Sequence, residues 1–149
     1  MEKIITNRLL LRPWKIEDCE DLYEYGKDEE VGPNAGWKPH KSVEESKKII
    51  EMFIKNNDSY AIVLKEENKV IGGIGLHNKV IDERVQELEQ REIGYVLNPK
   101  YWGNGYVPEA VKYLSLISKA LKSYQSVNEE SFDKYLAIDF CNYMLEAIN

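Results

Sequence analysis

The sequence predicts a single α+β domain with a mostly antiparallel sheet flanked by helices. Two apolar, β-branched runs, Tyr60–Leu64 and Val70–Leu76, are joined by a polar turn, as in a β-hairpin. Segments with helical apolar spacing lie on both sides of this hairpin. A length of 149 residues suits one domain with its own core, so residues 1–149 are expected to fold as one unit.

The beginning of the chain predicts a strand followed by a helix. The strand covers Lys3–Trp14 and closes at Arg12-Pro13, because a residue before proline prefers extended backbone. The helix after it has apolar or small residues at three- and four-residue spacing. These residues are Ile16, Cys19, Leu22, Tyr23 and Gly26.

Glycine, proline and asparagine then interrupt the pattern over Glu30–Lys41, which we expect to be a loop. A second helix begins after Ser42. There, Ser42 and Glu45 have the spacing of a capping box, in which the hydroxyl accepts from the Glu45 amide and the carboxylate reaches back. The residues predicted to face inward are Val43, Ser46, Ile49, Ile50, Phe53 and Ile54.

After the hairpin the sequence predicts a polar excursion over Asn78–Gln90 and a strand over Glu92–Leu97. A glycine-containing loop leads into a third helix, whose apolar face holds Val107, Ala110, Val111, Leu114, Ile117 and Leu121. Beyond it, Ser123–Val127 is at most a weak strand, and Ser131–Ile148 has the apolar stripe of a final amphipathic helix.

The charge of the chain argues against a nucleic-acid groove. Lys and Arg number 20 against 26 Asp and Glu, a net charge of −6, whereas phosphate backbones are bound by clustered basic residues. The acidic excess falls in Lys15–Glu30, which holds eight carboxylates and two lysines. This segment is either a solvated helix face or an acidic rim that attracts a basic acceptor.

The two cysteines and the N-terminal segment limit which classes of protein this chain can belong to. Cys19 and Cys141 are far apart and lie in apolar-periodic stretches, which indicates buried thiols rather than a disulfide framework, and no metal site is expected. Charged residues break the apolar runs of residues 1–14, so neither a signal peptide nor a membrane span is predicted. We expect a cytoplasmic protein with no membrane partner.

One segment is suited to binding a phosphate-bearing ligand. Trp102-Gly103-Asn104-Gly105-Tyr106-Val107 follows a predicted strand and precedes a predicted helix. A glycine loop there exposes successive backbone N–H groups beside the positive end of the helix dipole, so phosphate could be bound without basic side chains. The spacing matches neither a Walker loop nor a dinucleotide fingerprint, and on its own the glycine pair is equally typical of an ordinary turn.

In this setting the segment resembles the acetyl-CoA loop of the GNAT acetyltransferases. It is most similar to the branch of the ribosomal-protein N-acetyltransferases, which commonly places tryptophan at the start of the loop, where Trp102 stands. Thr6–Pro13 resembles the opening strand of the family, and the hairpin ending in Val70–Leu76 resembles its second and third strands. The resemblance covers Thr6 to Leu121, and residues 122–149 diverge.

The resemblance implies acetyl-CoA as the co-substrate. The backbone of the loop would cradle its pyrophosphate, and the pantetheine arm would pair with the edge of the preceding strand. The implied cofactor-binding residues are Tyr95, Val96, Leu97, Trp102, Gly103, Asn104, Gly105, Tyr106 and Val107. Val107 departs from the small residue usual at the last loop position, so its extra methyl groups would weaken CoA binding although the backbone donors remain.

The resemblance also implies direct transfer of an acetyl group to a primary amine, either a protein N-terminus or a small amine. Glu92 matches the glutamate that acts as general base in some histone acetyltransferases of this superfamily. Its other reading is a strand glutamate paired with Arg91 or Lys79. Trp37 and His40 lie in the loop that lines the acceptor pocket in this family, and His77 ends a strand that would face the cleft, although a loop aromatic or a histidine is often purely structural.

The end of the chain leaves two readings open. By spacing, Tyr135 fits the family's general-acid tyrosine, but only six residues separate Leu121 from Asn128, too few for the usual strand. Either Tyr135 reprotonates the CoA thiolate, or Ser131–Ile148 covers an exposed sheet face within the chain or across a homodimer. The corresponding alternative to an enzyme is a non-catalytic acyl-CoA-binding or dimeric interaction module with a degenerate acceptor site.

Overall fold

The computed structural model describes residues 1–78, 82–85 and 91–125. Its sheet has five antiparallel strands in chain order: β1 (Ile4–Ile5), β2 (Leu9–Pro13), β3 (Ser59–Leu64), β4 (Lys69–Asn78) and β5 (Arg91–Leu97). The helices are α1 (Cys19–Gly26), α2 (Gly32–Ala35), α3 (Val43–Asn56) and α4 (Tyr106–Gln125). The predicted α+β class with an antiparallel sheet flanked by helices is confirmed.

The sheet separates two apolar layers, because neighbouring side chains along a strand point to opposite faces. On one face α4 packs over the strands, and this first core includes Leu9, Leu11, Ile62, Ile71, Ile93, Leu97, Val107 and Val111. On the other face α1 and α3 cover a second core, which includes Trp14, Leu22, Tyr25, Ile50, Ala61, Val63 and Val70. Strand β5 contributes Leu97 to the first core, while its neighbour Val96 packs against the second.

The prediction of one strand over Lys3–Trp14 was wrong, because Thr6 folds the chain back. The Thr6 amide donates to the Leu9 carbonyl at 2.9 Å, and the Thr6 hydroxyl accepts from the Leu9 amide at 2.9 Å. The segment therefore forms a hairpin, with Ile4 opposite Leu11 and Ile5 opposite Leu10. The second strand does end at Pro13, as its sequence indicates.

The segment Glu30–Lys41, predicted to be a loop, contains the short helix α2. The predicted start of the next helix at Ser42 is confirmed, since the Ser42 hydroxyl accepts from the Glu45 amide at 3.2 Å. The Glu45 carboxylate reaches one residue further back than a capping box requires and accepts from the Lys41 amide at 2.7 Å.

Helix α4 is longer than its apolar pattern indicated. It continues to Gln125, so the weak strand considered for Ser123–Val127 is wrong for residues 123–125, where neither glycine nor proline ends the helix. The predicted helix Ser131–Ile148, with Tyr135 and Cys141, lies outside the described residues. Within the described ranges, no helix is long and apolar enough to cross a membrane.

Candidate active site

The glycine loop between β5 and α4 is a sharp, well-defined turn. Asn98 begins it: the buried Asn98 donates its amide to the Ile71 carbonyl at 2.7 Å, and its side-chain oxygen accepts from the Lys100 amide at 3.1 Å. Further on, Gly103 and Gly105 have φ angles of +78° and +77°. Residues with a side chain rarely adopt this left-handed backbone conformation. Glycine at both positions therefore allows the chain to turn directly into α4.

Backbone N–H groups are available where α4 begins. The first hydrogen bond of the helix runs from the Glu109 amide to the Gly105 carbonyl at 3.2 Å. The amides of Tyr106 and Val107 precede it and have no acceptor within the helix, while Pro108 has no N–H. The side chain of Val107 is only 6% exposed and packs in the first core, so its methyl groups point inward.

The downstream side of the loop is tied to the β1–β2 turn by Glu109. Its carboxylate accepts from the Thr6 hydroxyl at 2.6 Å, from the Arg8 amide at 2.8 Å and from Arg8 Nε at 2.7 Å. Arg8 also donates to the Asn104 carbonyl at 2.8 Å and lies over the Tyr106 ring. Burial raises the pKa of Glu109, but the hydrogen bonds from Thr6 and Arg8 outweigh it, and the net pKa is lowered.

The upstream side of the loop is tied to α1 by Glu24. Its carboxylate accepts from Lys69 Nζ at 2.5 Å, from Lys100 Nζ at 3.0 Å and from the Asn98 side-chain amide at 3.1 Å. The hydrogen bond from Lys69, with smaller contributions from Lys100 and Asn98, overcomes the opposing effect of burial and lowers the pKa of Glu24 to about 2.

Two aromatic side chains complete the support of the loop. The Tyr101 hydroxyl donates to the Glu67 carboxylate at 2.5 Å, and this hydrogen bond, with burial, raises the pKa of Tyr101 to about 12. The indole N–H of Trp102 donates to the Leu97 carbonyl at 2.9 Å at the end of β5. The loop is thus held at both ends before any ligand binds.

An open cavity of about 670 Å³ lies against the loop, within the size range of small-molecule sites. One wall is the end of β5, and a second is formed by loop residues including Trp102, Gly103 and Gly105. The opposite wall, absent from the sequence prediction, comes from α2 and the turn before it. This wall consists of Glu30, Val31, Asn34 and Ala35.

The cavity contains all but one of the predicted cofactor-binding residues. Tyr95, Val96, Leu97, Trp102, Gly103, Gly105, Tyr106 and Val107 line it. Asn104 does not: its side-chain amide donates to the Tyr101 carbonyl at 3.0 Å and to the Trp102 carbonyl at 3.2 Å. In the described part of the chain β5 is an edge strand, so its outer backbone groups can pair with an extended ligand.

Glu92 and His77 come together at the other end of β5. They are directly opposite each other in the β4–β5 register, and both are half-buried. The His77 Nδ1 atom lies 3.3 Å from an Asp58 carboxylate oxygen. The two predicted site residues therefore share a cluster with Asp58, which the sequence prediction missed.

Trp37 and His40 lie away from the cavity. His40 is 5% exposed, packs against Gly26, and has its Nδ1 atom 2.7 Å from the Ser46 hydroxyl. Burial lowers the pKa of His40, and the smaller effect of the Glu45 charge opposes this. The Trp37 indole N–H donates to the Gly26 carbonyl at 3.4 Å, and its ring packs against the second core.

Several carboxylates of the acidic segment are internal anchors, which neither sequence reading anticipated. Asp18 is buried and binds the Arg12 guanidinium through two contacts of 2.8 Å. Asp21 accepts from the Val70 amide at 2.9 Å, and Glu24 holds the glycine loop. Glu30 is the member of the segment that lines the cavity.

Comparison with known proteins identifies the family of this domain. Residues 8–125 match the sequence profile of the acetyltransferase (GNAT) domain. The chain belongs to the GNAT acetyltransferase family. This confirms the family that the glycine loop and the opening strand resemble.

Relatives of this GNAT chain include an uncharacterized N-acetyltransferase, p20, of Bacillus licheniformis. The two are 35% identical over 122 residues, which cover 76% of this chain and 64% of p20. The GNAT chain thus spans just under two thirds of the length of this curated relative.

Solved structures show the same fold. An acetyltransferase of the GNAT family from Bacillus anthracis has a TM-score of 0.68 at 28% identity, over 81% of this chain and 69% of that one. The microcin C7 self-immunity acetyltransferase MccE, solved in complex with acetyl-CoA and AMP, has a TM-score of 0.54 at 20% identity. That alignment covers 74% of this GNAT chain and 62% of MccE, and it shows the fold alone.

Proposed function

We propose that the chain binds acetyl-CoA in the cavity beside the glycine loop and transfers its acetyl group directly to a primary amine. The acceptor class is a protein N-terminus or a small amine. The observation that carries the proposal is the joining, in one cavity, of the start of α4, the end of β5 and the α2 wall. Family membership supplies the chemistry.

The fit to the pyrophosphate of CoA rests on backbone donors. The amides of Tyr106 and Val107 stand at the N-terminal end of α4, where the helix dipole favours an anion. A Cβ added at Gly103 would meet no atom of the described residues within 4 Å, which leaves that part of the loop surface accessible to a ligand. Phosphate binding then needs no basic side chain in the cavity, which suits an acidic protein.

The pantetheine arm would lie along the open edge of β5, from Leu97 towards Glu92. An extended amide chain pairs with a strand edge through backbone hydrogen bonds, as an added strand does. This direction carries the thioester away from the glycine loop and towards the cluster of Glu92, His77 and Asp58. The cofactor would thus bridge the two ends of one strand.

The reaction needs a deprotonated amine and a polarised thioester carbonyl. The amine nitrogen attacks the carbonyl carbon, a C–N bond forms, the C–S bond breaks, and CoA leaves as a thiolate. In this proposal Glu92 accepts the proton of the attacking amine, directly or through water. The role predicted for Tyr135, to return a proton to the thiolate, remains a prediction outside the described residues.

The thioester would meet the acceptor near Glu92, and the α2 wall would influence which acceptor is attracted to the site. Glu30 on this wall places a carboxylate at the cavity, which favours a cationic amine over an acidic substrate. Trp37 donates to the Gly26 carbonyl and His40 contacts Ser46, and neither side chain lines the cavity. We therefore propose no direct acceptor contact for them.

Release of free thiol tests the proposal directly. The protein is incubated with acetyl-CoA and a panel of small amines and peptides with free N-termini, and CoA thiol is followed over time. The proposal expects acceptor-dependent thiol release together with a rise in melting temperature on adding CoA. A rise in melting temperature without thiol release above hydrolysis would instead support the non-catalytic acyl-CoA-binding module. No change in melting temperature on adding CoA would contradict the proposed cofactor site.

A further inference from the structure

A histidine without a role in the proposed reaction lies next to the proposed base. His77 on β4 and Glu92 on β5 are directly opposed in the antiparallel register. Side chains at directly opposite positions have Cβ atoms about 4.5–5.5 Å apart, so the imidazole and the carboxylate are neighbours on one face of the sheet. Asp58, just before β3, contacts this imidazole, and Glu92 on β5 is its cross-strand neighbour.

Asp58 determines which ring nitrogen of His77 is free. The Asp58 carboxylate oxygen lies 3.3 Å from Nδ1 of His77. An ionised carboxylate can only accept a hydrogen bond, so the contact requires the proton on Nδ1. In the neutral ring the lone pair then resides on Nε2, and Asp58 orients the imidazole as a proton acceptor.

Two glycines make room for the ring along the surface of the sheet. Gly75 and Gly94 are themselves a cross-strand pair, one step from the pair of His77 and Glu92. A Cβ added at Gly75 would lie 3.0 Å from Nε2 of His77, and one added at Gly94 would lie 3.3 Å from it. The imidazole therefore leans over both glycines, in the direction of the cavity, instead of standing away from the sheet.

The path from His77 to the cavity is short. Glu92, Gly94 and Val96 share one face of β5, because side chains alternate along a strand. Val96 lines the cavity, and it lies about 7 Å from Gly94 at the usual rise per strand residue. The free nitrogen of His77 thus lies between the proposed base and the proposed cofactor channel.

We propose that His77, positioned by Asp58, is the second member of a proton relay for acetyl transfer; this rests on the proposed function. The attacking amine gives one proton to the Glu92 carboxylate as the C–N bond forms and the C–S bond breaks. Glu92 passes that proton to Nε2 of His77 and is again ionised. The imidazolium, stabilised by the Asp58 carboxylate, then releases the proton to solvent, where the departing thiolate is protonated.

The relay can be separated from a structural role with matched variants. In His77→Asn the side-chain amide can still donate to Asp58, but nothing there titrates. We expect this variant to lower kcat about tenfold, less than the hundredfold typical of losing a general acid or base because His77 acts through Glu92, and to flatten the acidic side of its pH profile. The KM for acetyl-CoA should stay unchanged, since the glycine loop is untouched.

Two further measurements keep the test decisive if a variant folds poorly. Free imidazole added to His77→Gly should restore part of the rate, because the space above Gly75 and Gly94 can hold the ring. Asp58→Asn should lower kcat less than His77→Asn does, and the double variant should lose no more than His77→Asn alone.

Failure of the proton relay and failure of the proposed acetyltransferase function give different experimental results. A His77→Asn variant with the kcat and pH profile of the wild type would overturn the relay and leave the acetyltransferase standing. Additive effects of Asp58→Asn and His77→Asn, or no rescue by imidazole, would also count against it. A wild-type protein that releases no thiol with any amine would overturn the proposed function itself.

Discussion

The two ends of β5 differ in how firmly the surrounding side chains hold them and in their exposure to solvent. At its C-terminal end the glycine loop is held by two carboxylates, Glu24 upstream and Glu109 downstream, with contacts of 2.5–3.1 Å. At its N-terminal end the His77 Nδ1 atom lies 3.3 Å from an Asp58 carboxylate oxygen, and both side chains are about two-fifths exposed. The end proposed to hold the cofactor is fixed, and the end proposed to meet the acceptor is open.

The difference follows from what each end would have to do. Backbone donors bind an anion best when they are already oriented, because no ordering cost is then paid on binding. A group that moves protons needs access to solvent and to the acceptor, which full burial would deny it. Under the proposed function, firm anchoring by Glu24 and Glu109 serves the end that would hold the large, constant cofactor, and solvent access serves the end that would meet the acceptor.

The largest effect is expected at the open end, from Glu92→Gln. Removing a proton-accepting carboxylate while keeping its shape should lower kcat about a hundredfold, most at mildly acidic pH, where the acceptor amine is most protonated. Affinity for CoA should be nearly unchanged. The exposed Glu51 on α3 supplies the control, since Glu51→Gln should leave kcat as it is. An unchanged pH–rate profile for Glu92→Gln would refute the role of the residue.

The next effect is expected at the fixed end, from Gly103→Ala. Gly103 has a φ of +78°, where a side chain costs about 1–2 kcal/mol, so the loop should relax and CoA affinity should fall about tenfold. Gly36 is a matched control: its φ is +87°, and a Cβ there also meets nothing within 4 Å in the described part of the chain. Gly36→Ala should lose similar stability but keep its CoA affinity in calorimetric titration. Equal losses of affinity in both variants would contradict the phosphate site.

A smaller effect is expected from loosening the downstream anchor by Glu109→Ala. This substitution removes the acceptor of two exposed Arg8 donors and one of two acceptors of the Thr6 hydroxyl, which should destabilise the fold by about 1–2 kcal/mol. CoA affinity should fall a few-fold, because Arg8 also holds the Asn104 carbonyl. Urea unfolding measures the first effect, and Glu51→Ala should shift it by less than about 0.5 kcal/mol. Similar unfolding energies for both variants would show that the anchor is not needed.

The smallest effect is expected from the upstream anchor and depends on pH. The pKa of Glu24 is lowered from 4.5 to about 2 by its hydrogen bonds, chiefly that from Lys69, so its ionised form favours the folded state. This stability is fully present above about pH 4.5 and is lost as the pH falls towards 2. The wild type should therefore be more stable than Glu24→Gln near neutral pH, and the gap should close on acidification. A gap that does not vary with pH would contradict this role.

The sequence was sufficient for the features that depend on local pattern. The hairpin of Tyr60–Leu64 and Val70–Leu76, the helix start at Ser42 and the loop around Gly103 all follow from alternation, capping or turn residues. These signals lie within a few residues of the structure they specify.

The anchors were not predictable, because each joins residues far apart in the chain. Thr6 and Glu109 are separated by 103 positions, and Glu24 and Asn98 by 74. The acidic segment was therefore interpreted only as a surface, although Asp18 and Glu24 act inside the fold. Asp58 was missed for the same reason, since only the pairing of β3 with β4 brings it to His77.

Backbone amide spectra with and without acetyl-CoA test the central claim most directly. Titration of labelled protein should move the amide resonances of Gly103–Val107 and Tyr95–Leu97 most, with smaller shifts at the α2 wall. The same titration of Gly103→Ala should need a higher ligand concentration for equal shifts. Perturbations centred away from the glycine loop, or none at saturating acetyl-CoA, would contradict the proposal that this loop and the edge of β5 hold the cofactor.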